Sequence, residues 1–256
     1  AVVAAVAPGA VAPARHPSPQ PDAAALARAA GLLAAARRPL VLAGRGAWLA
    51  DAASHASALA DELGALSSTS ALAMGLFAGR ARADLDLGVC GGFATETAAG
   101  LVERADVVLV LGAGLNPFTT RFGAAFGPDA VVIQVDVAEQ PTHPRVDVYL
   151  RGDAAEVTGG LRAALPATRA GAWDPPAPAE IASRPDGDVL GPDGRLDPRS
   201  VLRRIDALLP EDRVVVQDGG HFIGWAPAYL RIPAPDRLLM VGTAFQTIGL
   251  GLPSAV

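Results

Sequence analysis

Residues 97–112 read TAAGLVERADVVLVLG, a helical pattern followed directly by an apolar run that ends at a glycine. The run at residues 106–112, DVVLVLG, is apolar without alternation, so both of its faces need to be covered. Strands of that kind occur in parallel sheets that carry helices on each side. This stretch therefore predicts an α/β fold.

Similar strands and helices are expected on both sides of this stretch. Toward the N-terminus, the pattern predicts a helix at 22–37 capped by Asp22, a strand at 40–44 and a helix at 51–63. Toward the C-terminus, the pattern predicts strands at 130–137 and 147–150 and a helix at 153–165. Alternating strands and helices imply right-handed crossovers. We therefore predict a Rossmann-like, doubly wound parallel sheet within residues 22–165.

Composition divides the rest of the chain into two linkers and a second unit. Residues 1–21 are apolar but lack a positively charged start, which favours an internal linker over a signal peptide. Residues 166–195 are rich in Pro, Gly, Asp and Ala, as expected of a linker between domains. The α/β pattern then restarts, so residues 196–256 are predicted to be the first part of a second α/β domain. The elements expected there are a helix and two strands, at 198–209, 213–217 and 237–241.

The bulk composition excludes several functions. The 256 residues are 51% hydrophobic and 18% charged, with a net charge of −5 and no basic tract, which argues against a nucleic-acid partner. All 21 basic residues are arginine, so a lysine Schiff base and a Walker A loop are excluded. No apolar run reaches the ~18 residues of a membrane span, and we expect a cytoplasmic protein. Cys90 is the single cysteine and the histidines are scattered, so no metal ligand is assigned.

Glycines and one acidic residue follow the predicted strands, at Gly44, Gly46, Gly91, Gly92, Gly112 and Asp136. Such junctions at the carboxyl edge of a parallel sheet are typical of a nucleotide crevice. The G-x-G-x-x-G pattern is incomplete, because Leu49 occupies its last glycine position. A tight turn at Gly44 and Gly46, which we favour there, and close chain packing at Gly91 and Gly92 are the alternatives, so both interpretations stay open.

The second unit carries two further junctions between a strand and a glycine turn. One is Asp218-Gly219-Gly220-His221, and the other lies within VGTAFQTIGLGLPSAV at residues 241–256. His221 is a candidate for contact with a phosphate, or else a surface histidine on a loop. Phe222 and Trp225 are expected to lie in the core. No G-x-S-x-G elbow is present, so hydrolase chemistry is not indicated, and no catalytic residue is assigned.

Several of these segments together resemble the thiamine-diphosphate-dependent enzymes of the acetolactate synthase type. The segments are RPLVLAGRGAW (38–48), LDLGVCGGFATETAAGLVERADVVLVLG (85–112), VVIQVDV (131–137), VVVQDGGHFIGW (214–225) and VGTAFQTIGLGLPSAV (241–256). The last two are the more specific, because they resemble two diphosphate-side motifs of that family in order and at the usual separation. The resemblance covers nearly the whole chain from Arg38 onward, apart from the predicted linker.

The resemblance implies a set of cofactor-binding residues. Gly220, His221 and Phe222 would lie along the diphosphate, and Gln246 and Thr247 would line the thiazolium and pyrimidine side. Ile248 would be the bulky residue that keeps the cofactor bent. Such a bend places the cofactor's amino group opposite the thiazolium C2, so that proton transfer between them is intramolecular rather than bimolecular.

The resemblance also implies that the chain is a fragment of a three-domain subunit. The activating glutamate would precede Ala1 and the Mg²⁺ ligands would follow Val256, so the isolated chain is expected to be inactive. The full-length protein would act on 2-oxo acids such as pyruvate, by decarboxylation and carboligation, as a homodimer or homotetramer.

The chain also departs from the family pattern. Ala244-Phe245-Gln246 replaces the usual Gly-Leu-Gly, and His221 stands where glutamine is usual, which puts the substrate in question. Residues 114–118, GLNPF, lack the arginine and aspartates of flavin-binding members, so FAD is less expected. The alternative is a non-catalytic module that binds FAD or ADP. A nicotinamide oxidoreductase is weakened by the incomplete glycine pattern near Gly44.

Overall fold

A computed structural model describes residues 18–166, 173–241 and 248–256. The first part of the chain alternates helices with parallel strands. In chain order its elements are α1 (Ala23–Ala35), β1 (Pro39–Ala43), α2 (Arg45–Leu49), α3 (Ala53–Glu62), β2 (Leu66–Thr69), β3 (Asp86–Val89), α4 (Glu96–Glu103), β4 (Val107–Leu111), β5 (Val131–Asp136), β6 (Val148–Arg151) and α5 (Ala154–Ala164). The second part contains α6 (Pro178–Ile181), α7 (Pro198–Leu208), β7 (Val215–Gln217), α8 (Trp225–Tyr229), β8 (Leu238–Met240) and α9 (Gly251–Ala255).

The first six strands form one parallel sheet in the order β3-β2-β1-β4-β5-β6. The chain winds outward in one direction from β1 and in the other from β4, so the order reverses between these two strands. This arrangement confirms the predicted Rossmann-like, doubly wound sheet. All of its elements lie within residues 22–165.

Both faces of the sheet are buried, as the apolar run in β4 predicts. Leu109 and Leu111 point into one core layer, which α1, α3 and α5 cover. Val108 and Val110 point into the opposite layer, beneath α4. Alternate side chains of one strand therefore fill two separate cores.

Two strands and one helix break differ from the sequence prediction. β2 and β3 were not predicted, because the buried residues of β2 include Ser67, Ser68 and Thr69 rather than an apolar run. The helix expected at 51–63 begins at Ala53, and the separate helix α2 precedes it. Asp51 lies between the two helices with φ 54°, a left-handed conformation that a continuous helix does not contain.

The segment predicted as a linker at 166–195 packs against the sheet where it is described. The Trp173 indole N–H donates to the carbonyl of Pro39 at 2.7 Å, and Ile181 is buried in the core layer on the α4 side. The Thr95 hydroxyl donates to the carbonyl of Ile181 at 2.6 Å. The segment therefore forms part of the cover on that face of the sheet.

The second unit contains a short parallel sheet of two strands. β7 pairs with β8 in parallel, and the Val241 N–H extends this pairing by donating to the carbonyl of Gln217 at 2.9 Å. In the part of the chain that the structure describes, α7 contributes no buried residue, although it is capped by Asp197 and starts with Pro198. The apolar side of this helix, which includes Val201 and Leu202, is therefore only partly covered by the described residues.

Candidate functional site

A pocket lies at the carboxyl edge of the six-stranded sheet, where β1 and β4 diverge. Its volume is about 340 Å³. The ends of β1, β2, β3 and β4 supply most of its lining, and Ile223 and Met240 of the second unit complete it. Its walls include Arg45, Cys90, Phe93, Gly112, Asn116 and Phe118. The position matches the switch point at which open α/β sheets bind ligands.

Three of the predicted nucleotide-site glycines pack against one another. A Cβ on Gly44 would lie 2.4 Å from the carbonyl oxygen of Gly112, and a Cβ on Gly46 would lie 2.8 Å from the Cα of Gly112. Their N–H groups are bonded within the protein, from Gly44 to Leu111 and from Gly46 to Gly112, each at 2.8 Å. These glycines therefore have a packing role at the β1–β4 junction. Whether they also contact a nucleotide stays a prediction.

The glycines that follow β3 meet the loop after β4. A Cβ on Gly91 would lie 2.0 Å from the carbonyl oxygen of Phe118, and Gly92 donates its N–H to the same oxygen at 2.8 Å. The rings of Phe93 and Phe118 stack above this contact with centroids 5.9 Å apart. Cys90 is buried beside it, and this burial raises the pKa of its thiol to about 11.

Asp136 lies at a separate, smaller pocket of about 210 Å³ at the same sheet edge. Gly46 and Gly112 also line this pocket, so the structure brings three of the predicted residues together there. One oxygen of the Asp136 carboxylate accepts the N–H of Ala138 at 3.0 Å. The carboxylate therefore acts as an acceptor for its own turn.

The residues predicted to lie along the cofactor diphosphate follow β7. Gly220 has φ 123°, and a Cβ there would lie 3.0 Å from the Phe222 ring and 3.6 Å from Cδ1 of Ile248. His221 is exposed on the turn. The structure thus brings Gly220, Phe222 and Ile248 together, while Gln246 and Thr247 lie outside the described residues.

Phe222 is not a core residue, contrary to the sequence expectation. Its side chain is 45% exposed, because the turn after β7 carries it to the surface of the short sheet. Trp225 is half-buried and lines, with Phe222 and Gln217, an open apolar groove of about 500 Å³. The α7 residues Val201 and Leu202 form the opposite side of this groove.

Three consecutive backbone N–H groups in the turn after β7 have no hydrogen-bond partner among the described residues. Within the described ranges, the N–H groups of Gly220, His221 and Phe222 make no hydrogen bond. Consecutive free N–H groups in a glycine turn form a concave donor set of the kind that binds phosphate oxygens. The geometry of this turn therefore suits an anion.

Asp218 is a site residue that the sequence analysis missed. Its carboxylate accepts N–H groups from Gly219 at 2.8 Å and from Gly249 at 2.6 Å. These bonds lower its pKa, and the largest effect comes from the N–H of Gly251. The sequence carries a signal only for the local bond to Gly219, since aspartate before a glycine turn commonly bonds nearby backbone N–H groups.

Neither a metal cluster nor a membrane span is found in the described part of the chain. Residues 18–166, 173–241 and 248–256 contain no group of three or more His, Cys, Asp or Glu side chains placed to hold a metal ion. Across the same ranges, none of the helices combines the length and the apolar character needed to cross a bilayer.

Comparison with known proteins identifies relatives for most of the chain. Residues 26–161, just over half of the sequence, match the family profile described as "Thiamine pyrophosphate enzyme, central domain". The sulfoacetaldehyde acetyltransferase of Rhodobacter capsulatus is 35% identical over 94% of this chain and 45% of its own length. The acetolactate synthase large subunit of Corynebacterium glutamicum is 27% identical over 95% of this chain and 40% of its own length.

Solved structures share the fold at low sequence identity. A putative thiamin diphosphate-dependent enzyme from Mycobacterium smegmatis matches with a TM-score of 0.65 and 20% identity, over 94% of this chain and 46% of its own. Benzoylformate decarboxylase from Polynucleobacter necessarius gives 0.66 and 19%, over 94% of this chain and 44% of its own. The chain spans about half the length of these relatives.

Proposed function

The chain belongs to the thiamine pyrophosphate enzyme family, and from this premise we propose that its full-length protein binds thiamine diphosphate and makes or breaks a carbon–carbon bond beside a carbonyl. The substrate class is a 2-oxo acid such as pyruvate. The turn after β7 supports this proposal most directly, because its N–H groups have no partner within the described ranges and a Cβ on Gly220 would lie 3.6 Å from Cδ1 of Ile248.

The residues present fit the cofactor at two points. The donor set of Gly220, His221 and Phe222 suits a diphosphate, which offers only acceptor oxygens and negative charge. Ile248 is 68% exposed, so its side chain is available to support an apolar part of a ligand beside that turn. When bound, thiamine diphosphate supplies the stabilisation of negative charge on the substrate carbon.

The protein's own contribution is to hold, orient and dry the site. Backbone N–H groups of the turn bind the diphosphate end without needing a cationic side chain. The aliphatic side chain of Ile248 would cover an apolar part of the ligand beside this turn, and covering that part would remove water from it, which strengthens the electrostatic interactions within the site. We assign no proton transfer to a residue of this chain.

The relatives point to two reactions within this substrate class. Identity with the Rhodobacter capsulatus acetyltransferase is 35%, against 27% with the Corynebacterium glutamicum acetolactate synthase. We therefore propose that pyruvate loses CO₂ and that its remaining two-carbon unit joins either a second pyruvate, which gives acetolactate, or the carbonyl carbon of a sulfoacetaldehyde-like aldehyde. The replaced Ala244-Phe245-Gln246 pattern also favours a substrate different from that of the acetolactate synthases.

We propose that the remaining parts of the site come from outside this chain. The Mg²⁺ ligands and the activating glutamate are assigned to other segments of the full-length protein, which acts as a homodimer or homotetramer. The groove of Phe222, Trp225 and α7 supports an additional covering segment, because it is apolar and open in the described residues. The division at 22–165, 166–195 and 196–256 is part of this proposal, and the isolated chain is expected to be inactive.

An activity assay tests the proposed reaction. The full-length protein is incubated with thiamine diphosphate and Mg²⁺, with pyruvate alone in one arm and pyruvate plus sulfoacetaldehyde in the other. Acetolactate, an aldehyde or a product that joins the two substrates supports the proposal, and the joined product separates the two reactions. Absence of every product in both arms, with the cofactor bound, would count against a role in this chemistry.

The second candidate function is a nucleotide-binding module. The pocket of about 340 Å³ at the β1–β4 switch point favours it, because Phe93 and Phe118 offer stacked rings beside the glycine turns. Melting of the full-length protein with FAD, ADP or thiamine diphosphate distinguishes the two. Stabilisation by a nucleotide and none by thiamine diphosphate would favour the module.

A further inference from the structure

The carboxylate of Asp218 joins two turns that are distant in sequence. Oδ1 accepts the N–H of Gly219 at 2.8 Å, within the turn after β7. Oδ2 accepts the N–H groups of Gly249 at 2.6 Å and Gly251 at 3.1 Å, in the turn that leads into α9. One side chain therefore spans the two segments that follow β7 and β8.

Glycines allow the two turns to approach this closely. A Cβ on Gly251 would lie 3.1 Å from Cβ of Asp218 and 3.4 Å from its backbone nitrogen. Gly249 has φ 103°, a conformation that residues with a side chain rarely adopt. The contact therefore depends on both partners: the carboxylate accepts the N–H groups of Gly249 and Gly251, and the absence of a side chain at Gly251 leaves room for Asp218.

The bonds to Asp218 divide the N–H groups of the site into two sets. Those of Gly249 and Gly251 are already used by the carboxylate. Those of Gly220, His221 and Phe222 have no partner within the described ranges. A bound diphosphate would therefore meet the first turn, while the second turn is satisfied from inside the protein.

We infer that Asp218 is a positioning residue for the cofactor, which fixes the turn at Gly220 relative to Ile248 without contacting the cofactor itself. The inference rests on the proposed function. Without the carboxylate, the N–H groups of Gly249 and Gly251 lose their acceptor, and the spacing between the diphosphate turn and Ile248 is no longer fixed. Cofactor affinity should then fall more than the rate of the bound enzyme.

Calorimetric titration of the full-length protein with thiamine diphosphate, at saturating Mg²⁺, tests this inference. Asp218→Ala removes every acceptor and should raise the Kd about 10-fold or more, because hydrogen bonds to charged groups are individually strong. Asp218→Asn keeps one acceptor oxygen and should raise the Kd by a smaller factor. Its kcat at saturating cofactor should fall by a smaller factor than its affinity for the cofactor.

The matched control is Asp22→Asn. Asp22 also accepts a backbone N–H, from Ala25 at 2.8 Å, but it caps α1 at the far end of the first unit. Its Kd should equal that of the wild type. Melting without cofactor monitors folding, and if Asp218→Ala does not fold, the decision rests on Asp218→Asn.

The outcomes separate this inference from the proposed function. A wild-type protein that binds the cofactor, with an unchanged Kd in every folded Asp218 variant, overturns the positioning role alone. If Asp218→Asn loses cofactor affinity and kcat by the same factor, the positioning role is also overturned, because that result indicates general damage to the site. A wild-type protein that does not bind thiamine diphosphate overturns the proposed function and this inference with it.

Discussion

At the residue scale, single glycines decide how close two strands come. Gly44 follows β1, and its missing side chain leaves room for the backbone of Gly112 and Ala113. A Cβ at Gly44 would lie 2.4 Å from Cα of Ala113, a distance that real structures do not tolerate. The glycine at position 44, which is part of the pattern typical of a nucleotide loop, is therefore required by packing against Gly112 and Ala113.

Substitution of Gly44 tests this packing role. Gly44→Ala should lower the free energy of unfolding by about 1–3 kcal/mol, as is typical of overpacking at a tight contact. Gly114→Ala is the control, since a Cβ at Gly114 would meet no atom within 4 Å. Urea denaturation measures both variants. Equal stability of the two variants would show that Gly44 is not needed for packing.

The thiol of Cys90 provides a second test at this scale. Its side chain is buried and its pKa is raised to about 11, chiefly because burial disfavours the thiolate. At pH 8 the native thiol is therefore protonated and should react very slowly with a disulfide reagent, whereas the chain in guanidinium should react fully. Rapid labelling of the native protein at pH 8 would contradict this environment.

At the element scale, the sequence predicts strands well where both faces are apolar. β1, β4 and β5 lie within a residue or two of their predicted bounds, because an unbroken apolar run of this length is typical of a strand covered on both faces. β2 was missed because Ser67 and Ser68 are buried with their hydroxyls bonded across to β3. Such a strand is stabilised by hydrogen bonds that local sequence patterns do not reveal.

The site shows the same division between local and distant information. The turn at Gly220 could be predicted from the motif, because its glycines are adjacent in sequence. The role of Asp218 could not, because its partners Gly249 and Gly251 are 31 and 33 residues away. Long-range pairing of this kind appears only when β7 and β8 are aligned.

The central strand supplies a prediction for the whole sheet. Leu109 of β4 is fully buried, between β1 and β5. Leu109→Ala should lower the free energy of unfolding by about 2–5 kcal/mol, because it leaves a cavity in a packed core. Leu208→Ala, at a side chain that is 72% exposed, should change it by less than about 0.5 kcal/mol. Denaturant unfolding that gives similar values for both would contradict the assigned core.

At the scale of the whole molecule, the two units differ in how completely they are covered. The first sheet is buried on both faces, whereas in the second unit Leu239 of β8 and Val214, which directly precedes β7, are about half exposed, at 42% and 50%. Large exposed apolar surface usually marks a site of contact with other protein. The first unit thus has both faces of its sheet covered, whereas the second unit exposes apolar side chains that could contact other protein.

The second part of the chain, from α6 onward, meets the first part at the pocket and at further contacts. Ile223 and Met240 reach the carboxyl edge of the first sheet. A Cβ on Gly75 would lie 2.7 Å from Cα of Ala234, so the loop before β8 rests directly on the first unit. Arg184 adds bonds to the carbonyls of Phe93 and Ala94. The second part of the chain therefore contacts the first part at several separate points.

The most direct test of the proposed cofactor site is calorimetric binding of thiamine diphosphate to the full-length protein in the presence of Mg²⁺. Saturable binding is predicted, with one site per chain, and Gly220→Val should abolish it because the new side chain would enter the space of Phe222 and Ile248. No detectable binding by a folded wild-type protein, or undiminished binding by a folded Gly220→Val variant, would contradict it.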